Sequence, residues 1–542
     1  MEQLTIILIL LFAVALSRVT SLVSRIPLPL LQILFGIILG QFHLHRGLDP
    51  SVFLLLFIAP LLFVEAYRFP RAEFLSLRKP ILQMAVGLVL FTVISAGYFI
   101  HWIIPGIPLA ASFALAAVLS PTDAVAVAGS TKGIKMPARL MHLLEGEALL
   151  NDASGLVCFR FAIAAAVTGT FSPGAATLTF IEVSVGGLIA GAVIAYLVLR
   201  GDKWVEKLIG PHSSARILIF LLLPFAAYLF AEHFHLSGIL SAVAAGFMSN
   251  WMLQDVREAE ARIKSEAILD MVEFTFNGLI FILLGLELPL IWKEIPNIVA
   301  KEGFHSSWQL AGFALSITLF LGVLRFVWTW SSLKWSFYRQ RRNDGLRKRT
   351  PKRLLAATML SGVRGAVTLA AALSIPLTLS DGTAFPGRNL AILLAAGVIV
   401  FSLLAASFGL PLVMHGLEEP PEASIETQRR RARIAAAEAA LRMLEQAEKE
   451  ASQYGDAADG IGAITAKLTD YYRRRIEALS GTDENHYKAL TLRNAERQIR
   501  LEALRAERAE IKRLIQDRVL DQKAMRPIMN KLDTMEATLQ NT

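Results

Sequence analysis

The chain has 542 residues, of which 54% are hydrophobic and only 18% are charged, and its mean hydropathy is +0.51. This composition contains more apolar surface than a soluble globular domain can bury, so it predicts an integral membrane protein. The formal net charge of +9 agrees with basic residues in loops and in the C-terminal segment. It does not indicate a nucleic-acid-binding protein.

The apolar runs have the length of membrane helices, roughly 17 to 25 residues, and differ from the alternating ten-residue segments of an outer-membrane barrel. We therefore predict an all-α polytopic membrane protein with about thirteen transmembrane helices, each bounded by charged residues, Pro or Gly. The predicted spans are approximately residues 4–22, 28–45, 51–67, 81–104, 108–131, 139–168, 177–199, 216–233, 236–253, 268–291, 308–338, 353–378 and 388–415.

Basic residues are concentrated in alternate loops between these predicted spans. Arg71, Arg78 and Lys79 follow the third span, and Lys203 and Lys207 follow the seventh, whereas the intervening loops contain few Lys or Arg. Loops rich in Lys and Arg stay in the cytoplasm. The sequence therefore predicts an N-terminus outside and a C-terminal segment in the cytoplasm.

The last part of the chain, residues 417–542, is strongly charged. Stretches near 425–453 and 485–540 are rich in Ala, Glu, Arg and Leu, and glycines interrupt them. This pattern predicts two or three amphipathic helices. We interpret the segment as a cytoplasmic helical tail that packs on itself, forms a dimer contact or has a regulatory role.

Asn151 and Asp152 are adjacent polar residues in the sequence Glu145-Gly-Glu-Ala-Leu-Leu-Asn-Asp-Ala-Ser-Gly, which an apolar run follows. A carboxylate at membrane depth costs about 3 kcal/mol on insertion scales, so a chain that keeps one there uses its charge. Asp152 is therefore the first candidate functional residue.

Leu119–Ser130 is a second polar interruption of an apolar segment, with Pro121, Thr122 and Asp123 at its start. Proline removes a backbone donor and clashes with the preceding turn, so the helix is predicted to break near Thr122 and to free carbonyls within the membrane. Asp123 can cap a following half-helix. The alternative interpretation is a simple proline kink with a capping Asp.

Arg364 lies in a third cluster, an apolar segment with glycines on either side of the arginine. A buried arginine needs a carboxylate partner, and Glu147 is the natural candidate. Glu147 lies four residues before Asn151, so a helix presents these two side chains on one face and Asp152 about 100° further round.

Glu65 is the fourth candidate, close to the inner end of the third predicted span. A glutamate so near the interface is more often a snorkelling or capping residue than a functional one. Further polar residues lie in or near the spans, and of these Arg160 has no evident partner. They are Arg160, Glu273, Asn277 and Arg325.

Four motifs in this order resemble the monovalent cation:proton antiporter-1 family of sodium/proton exchangers. They are Ser120–Asp123, Gly146–Asp152, Phe281–Leu288 and Gly362–Val367. The resemblance covers about residues 1–416 and not the tail. It implies a bacterial exchanger of the cytoplasmic (inner) membrane that forms a homodimer.

The resemblance also implies thirteen spans with inverted repeats and two crossed broken helices, which fall at Thr122-Asp123 and in the Arg364 segment. Residues 1–416 would form the antiporter domain. Its dimerisation helices would lie in about 1–67 and 177–291, and its core helices in about 81–168 and 308–416.

Matched to the family's motifs, Asp152 is the ion-binding and proton-binding carboxylate, and Asn151 is the neighbour associated with electroneutral exchange. Thr122 and Asp123 match the broken-helix pair, with Asp152 and Thr122 as ligands of a transported Na⁺. Two further roles are implied, a structural ion pair of Glu147 with Arg364 and an acidic residue in the ion funnel, Glu65.

Two positions depart from the family pattern. Position 148 is Ala where some members have a Ser that contributes to the ion site, and Asn277 falls where animal exchangers have a Glu. The second departure leaves the partner of Arg325 open.

These observations predict a secondary antiporter without enzymatic activity or a resident cofactor. Asp152 would hold either H⁺ or a partly dehydrated Na⁺ or Li⁺, so competition at one carboxylate would give exchange. The exchange would be electroneutral if one cation moves against one proton. A K⁺/H⁺ antiporter is the main alternative. A cation channel and a membrane sensor that signals through the tail are two further classes.

Overall fold

The computed structural model of the chain describes residues 2–24, 26–42, 50–130, 136–168, 173–209, 213–253, 259–302, 306–344, 352–379, 383–414, 422–450, 458–480, 483–517 and 522–540. These residues form two compact units, Met1–Leu417 and Glu418–Thr542, and each is described by itself. The predicted helix ends at residues 45, 131, 415 and 453 lie outside the described residues.

The regular secondary structure in the described residues of the first unit is helical, apart from one isolated bridge between Thr378 and Ala384. Lipid offers no hydrogen bonds to the backbone, so a helix, which satisfies its own backbone groups, is the form that an apolar segment takes there. The helices of this unit are α1 (Glu2–Val23), α2 (Leu28–Gly40), α3 (Pro50–Phe53), α4 (Ala59–Arg68), α5 (Arg71–Leu82), α6 (Val89–Ile103), α7 (Leu109–Leu119), α8 (Ala124–Ser130), α9 (Ala138–Thr168), α10 (Pro173–Ile209), α11 (Ser213–His233), α12 (Gly238–Leu253), α13 (Ala259–Glu302), α14 (Ser307–Asp344), α15 (Lys352–Leu360), α16 (Ala366–Leu373) and α17 (Arg388–Met414).

Eight helices in the described residues are long and apolar enough to cross a membrane, and the bent pair of α7 and α8 makes nine. The apolar helices α2 and α12 are shorter, with 13 and 16 residues. The all-helical membrane fold is confirmed. The count of thirteen spans and the inverted repeats stay predictions. The predicted span 353–378, for example, is divided into the two helices α15 and α16, and each of them is too short to cross a membrane by itself.

Two helical segments contain a wider π-helical turn. Leu54–Ile58 joins α3 to α4, and Gln83–Leu88 joins α5 to α6. In the first of these turns the Ala59 amide donates to the carbonyl of Leu54, five residues back. Such turns occur mostly as single insertions within α-helices and often lie at functional sites.

Helices α2 and α13 cross at two glycines. A Cβ atom added to Gly36 would overlap the Ile282 carbonyl, and one added to Gly285 would overlap the Ile33 carbonyl. Because lipid tails are as apolar as leucine, close backbone packing of this kind is a main source of helix association in membranes. The pair of glycines therefore fixes where these two helices cross.

The largest apolar cluster is centred on α7 and α17, whose facing side chains are mostly alanine, leucine and isoleucine. Helix α7 is buried almost along its full length and also packs against α6 and α9. The small alanine side chains let these helices approach closely. As a result the break that follows α7 lies inside the protein and not against lipid.

The second unit consists of α18 (Glu422–Glu450), α19 (Ala458–Ser480), α20 (Asp483–Gln516) and α21 (Gln522–Gln540). The prediction of two or three helices was therefore too low. Gly460 and Gly462 lie inside the first turns of α19, where glycine is tolerated, and do not separate helices as the sequence pattern indicated. Helices α18 and α19 pack as a hairpin.

Candidate functional site

The first helix break lies between α7 and α8, which meet at an angle of 54°. Pro121 cannot donate a backbone hydrogen bond, so the helix ends at Leu119 and a new one begins at Ala124. The Oδ1 atom of Asp123 accepts a hydrogen bond of 2.8 Å from the Ala126 amide. Asp123 is therefore the N-terminal cap of α8.

The second break lies between α15 and α16, over residues 361–365. Gly362 and Gly365 lie on either side of Arg364, whose backbone amide donates to the Ser402 hydroxyl at 3.1 Å. Ser402 belongs to α17, so this helix holds the extended segment in place. The break predicted from Pro121 and the break that the resemblance implied for the Arg364 segment are thus both present.

The two breaks contact each other. The Asp123 amide donates to the Val363 carbonyl at 2.8 Å, and a Cβ atom on Gly365 would overlap the Asp123 carboxylate. The Arg364 guanidinium donates to the carbonyls of both broken helices, to Leu119 at 2.9 Å and to Gly362. The carbonyls freed by one break are therefore satisfied by a side chain from the other.

The charges at this crossing match the helix ends. Arg364 lies where the C-terminal ends of α7 and α15 meet, and Asp123 lies at the N-terminal ends of α8 and α16. Helix C-termini carry partial negative charge and N-termini partial positive charge. One arginine and one aspartate thus offset the partial charges of four helix ends in the interior of the protein.

The buried ion pair of Glu147 is with Arg325, and not with Arg364 as the sequence analysis expected. Both terminal guanidinium nitrogens of Arg325, Nη1 and Nη2, donate to the Glu147 carboxylate, the second at 2.6 Å, and both side chains are 2% exposed. Arg325 Nε also donates to the Thr358 carbonyl at 2.7 Å. The correction has a physical reason, since the backbone carbonyls of the two breaks already use the donors of Arg364.

A chain of hydrogen bonds joins this ion pair to the first break. The Thr122 hydroxyl donates to Glu147 at 3.3 Å and accepts from the Asn151 amide at 2.9 Å. Asn151 is 1% exposed, and within the described part of the chain its carbonyl oxygen has no hydrogen-bond partner. The amide of Asn151 thus orients the residue before Asp123.

Asp152 lies on a different face of α9 and lines a small cavity of about 50 Å³. Glu65, Asp123, Thr122 and Asn277 also line this cavity. None of the described residues that surround it is Lys, Arg or His. Three carboxylates therefore share one cavity with hydroxyl and amide groups, and such oxygen atoms are suitable ligands for a hard cation.

Comparison with known proteins identifies the family of this chain. Residues 6–416 match the family model of the transmembrane sodium/hydrogen exchanger. The chain belongs to the sodium/hydrogen exchanger family.

Curated relatives of this exchanger extend over its full length. A sodium, potassium, lithium and rubidium/H⁺ antiporter of Bacillus pumilus is 38% identical over 100% of this chain and 79% of its own. The uncharacterised Na⁺/H⁺ exchanger YjcE of Escherichia coli is 39% identical over 99% of both chains.

A solved structure is similar in fold. The sodium proton antiporter MjNhaP1 of Methanocaldococcus jannaschii, determined at pH 8, aligns with a TM-score of 0.57 at 15% identity. The alignment covers 77% of this chain and 99% of that one. At this identity the likeness supports the fold alone.

Two further charged clusters of the exchanger lie away from the cavity. Arg68 at the end of α4 contacts three carboxylates of α13, namely Glu273 at 2.5 Å, Asp270 at 2.6 Å and Glu266 at 3.2 Å. Arg160, which had no evident partner in the sequence, contacts Glu232 of α11.

Sequence patterns revealed the polar residues that line the cavity more readily than the residues that hold them in place. The partner of Arg325 was left open, although a second arginine in the membrane was the signal that Glu147 had two possible partners. The patterns did not identify Ser402 or Thr368, which lines the cavity. Single hydroxyls in apolar helices are too common to stand out in a sequence.

Proposed function

We propose that this protein exchanges a monovalent cation, Na⁺ or Li⁺, for H⁺ by competition at Asp152. The observation that carries the proposal is the location of Asp152 beside the crossed helix breaks, in a cavity that it shares with two other carboxylates. A carboxylate in such a place binds one proton or one cation, but not both. Competition for this group is sufficient to couple the two fluxes.

The size of the cavity supports binding of a partly dehydrated ion. Its volume of about 50 Å³ has room for only a few water molecules, since each needs at least about 10 Å³ on this measure. An entering cation must therefore replace part of its hydration shell with protein oxygens. Asp152 and the Thr122 hydroxyl are the ligands that we propose, with the Asp123 and Glu65 carboxylates nearby.

Electrostatics explains why the Asp152 site would move across the membrane only when it holds a proton or a cation. An empty site with a charged Asp152 is costly to move through a medium of low dielectric constant, whereas a protonated or cation-bound site is not. If one cation exchanges for one proton, the transported charge is zero and the membrane potential has no effect on transport. A voltage dependence in proteoliposomes would contradict this stoichiometry.

We infer the domain roles from the resemblance to the family and from the position of the breaks. Residues 81–168 and 308–416 would form the mobile core, because they contain Asp152 and both broken helices. Residues 1–67 and 177–291 would form the dimerisation domain of a homodimer. The N-terminus would lie outside the bacterial inner membrane and residues 417–542 in the cytoplasm.

The decisive test is the isosteric variant Asp152→Asn in proteoliposomes with a preset pH gradient. Addition of Na⁺ or Li⁺ should dissipate the gradient with the wild type and not with the variant, because the amide can neither carry the proton nor neutralise the cation. Glu206→Gln is a suitable control, since Glu206 pairs with Arg216 away from the cavity. Equal fluxes in wild type and Asp152→Asn would reject the proposal.

Competition also predicts how pH changes the apparent affinity for the cation. While Asp152 is mostly protonated, each unit decrease in pH should raise the apparent KM for Na⁺ about tenfold, because the free carboxylate becomes tenfold scarcer. At higher pH the KM should level off. Initial rates across a pH series measure this, and a KM independent of pH throughout would exclude competition.

K⁺ is the main alternative cation, and the name of the Bacillus pumilus relative, which includes potassium and rubidium, favours testing it. Addition of K⁺ and Rb⁺ in the same assay separates the possibilities. A channel would instead carry cation current without proton countertransport.

A further inference from the structure

Arg160 and Glu232 form an ion pair between two parts of the membrane unit that we assign to different domains. Arg160 Nη2 lies 3.1 Å from Oε1 and 3.4 Å from Oε2 of Glu232. Arg160 is on α9, in the same helix as Asp152, whereas Glu232 is near the end of α11. Glu232 also accepts a hydrogen bond of 3.2 Å from the Gly238 amide at the start of α12.

The position of this ion pair along α9 places it on one side of the cavity. The N-terminal half of α9 lies against α5 and the junction of α4 and α5, since a Cβ atom on Gly146 would meet Ile81 of α5 and Phe69 of the junction. Asp152 follows in the middle of the helix. Arg160 is eight residues further along, about 12 Å beyond Asp152 in the opposite direction from that junction.

We propose that Arg160 and Glu232 form a latch that keeps the outer side of the exchanger closed while the cavity faces the cytoplasm. This inference rests on the proposed exchange function, in which α9 belongs to the mobile core and α11 and α12 to the dimerisation domain. The outer side is the side opposite the cytoplasm in the proposed orientation of the chain. Opening of the cavity to that side separates α9 from α11 and breaks the ion pair.

The exposure of the two side chains suits a contact that opens in every transport cycle. The Arg160 side chain is 53% exposed and that of Glu232 is 31% exposed. An ion pair at this exposure contributes little free energy, because solvent screens it. The latch therefore biases the equilibrium between the two states without locking it.

Glu232 has two roles, because it pairs with Arg160 and also accepts a hydrogen bond from the Gly238 amide. Its carboxylate oxygen holds the start of α12 through Gly238, independently of Arg160. A glutamine at 232 keeps an oxygen acceptor for Gly238 but loses the charge that attracts Arg160. Glu232→Gln should therefore release the latch and leave the local helix turn intact.

The test measures access to the cavity from each side of the membrane. A cysteine is introduced at Ile280, which lines the cavity, in a Cys158→Ser background, and its labelling by a membrane-impermeant thiol reagent is timed in vesicles of known orientation. Arg160→Gln and Glu232→Gln should each raise the labelling rate from the outer side several-fold. The charge reversal Arg160→Glu should do the same.

The swapped double variant Arg160→Glu/Glu232→Arg keeps the attraction and should restore the slow labelling of the wild type. Glu206→Gln is the matched control, because the Glu206 side chain has nearly the same exposure, 33%, and also pairs with an arginine, but both partners lie in the segment 177–291. It should leave the labelling rate unchanged.

Unchanged labelling in both neutral variants would overturn the latch, as would a double swap that labels as fast as Arg160→Glu alone. Cation-dependent proton flux, measured on the wild type, Arg160→Gln and Glu232→Gln without the added cysteine, tests the exchange function separately. If the variants change the labelling rate but the wild type shows no flux, the exchange function is rejected, while the Arg160–Glu232 ion pair still controls access to the cavity. Normal flux with unchanged labelling would reject only the latch.

Discussion

At the scale of single residues, the pairing of Glu147 is decided by competition between two buried arginines. Both terminal nitrogens of the Arg325 guanidinium donate to the Glu147 carboxylate. The guanidinium of Arg364 donates to backbone carbonyls of the two breaks. A buried ion pair adds little net stability, but removing one partner leaves an uncompensated charge and costs about 3 to 5 kcal/mol. This asymmetry makes the pairing testable.

We expect Arg325→Met to lower the stability of the protein by roughly 3 to 5 kcal/mol, because it strands the Glu147 carboxylate. The double variant Arg325→Met/Glu147→Gln should recover most of this loss. Thermal unfolding in detergent, monitored by size-exclusion chromatography, measures the loss of stability and its recovery.

Arg364→Met provides the contrasting case. Its loss leaves the Leu119 and Gly362 carbonyls without their donor, so Glu147→Gln should not rescue it. Rescue of Arg364→Met and not of Arg325→Met by Glu147→Gln would show that the pairing is the reverse of the one described here.

At the scale of helices, the crossing of the two breaks depends on a glycine. Gly365 occupies the N-cap position of the half-helix α16 and faces the Asp123 carboxylate so closely that any side chain would displace that carboxylate. Asp123 in turn caps α8 through the Ala126 amide. A methyl group at 365 would therefore disturb both half-helices beside Asp152.

Gly365→Ala should reduce the maximal rate of cation-dependent proton flux by tenfold or more, on the order of a 1.4 kcal/mol change in the barrier or beyond, while the protein still inserts in the membrane. Gly312→Ala in α14 is the matched control, because nothing lies within 4 Å of a Cβ atom there. That variant should keep full transport. Wild-type flux in Gly365→Ala would show that the crossing tolerates a displaced Asp123.

The breaks and the pairing also show what a sequence can and cannot reveal. Pro121 acts on its own backbone, so the first interruption was visible without any knowledge of neighbours. The same is true of the polarity of Asp152 in an apolar run. The interruption beside Arg364 was expected only from the resemblance to the family. The choice between Arg325 and Arg364 for Glu147 depends on how four separate helices pack, and no local pattern encodes it.

At the scale of the whole molecule, the chain divides into a membrane unit and a charged helical unit, Glu418–Thr542. The residues that line the cavity and form both breaks all belong to the first unit. The tail has its own helix pairs and ion pairs, including Arg508 with Glu536 at 2.6 Å. We therefore expect transport not to depend on the second unit.

Deletion of residues 418–542 should leave cation-dependent proton flux in place, although the pH at which transport becomes active can shift if the tail is regulatory. Proteoliposomes with equal amounts of full-length and shortened protein measure this, with Asp152→Asn in the shortened form as the control for leak. Complete loss of flux in well-folded shortened protein would favour a sensor in which the membrane unit serves the tail.

The π-helical turn at Leu54–Ile58 contains one residue more than the same turn of a regular α-helix. Ile58 ends that turn and lines the cavity, and Glu65 follows within α4. The wide turn takes up the extra residue locally, so a one-residue deletion within it would restore a regular helix and leave Glu65 at the cavity. In a segment that is α-helical throughout, the same deletion would rotate every later side chain by about 100°. The turn therefore makes the direction of Glu65 tolerant of the loss of one codon, and a gap at this place in a sequence comparison would not mean that the acid has left the site.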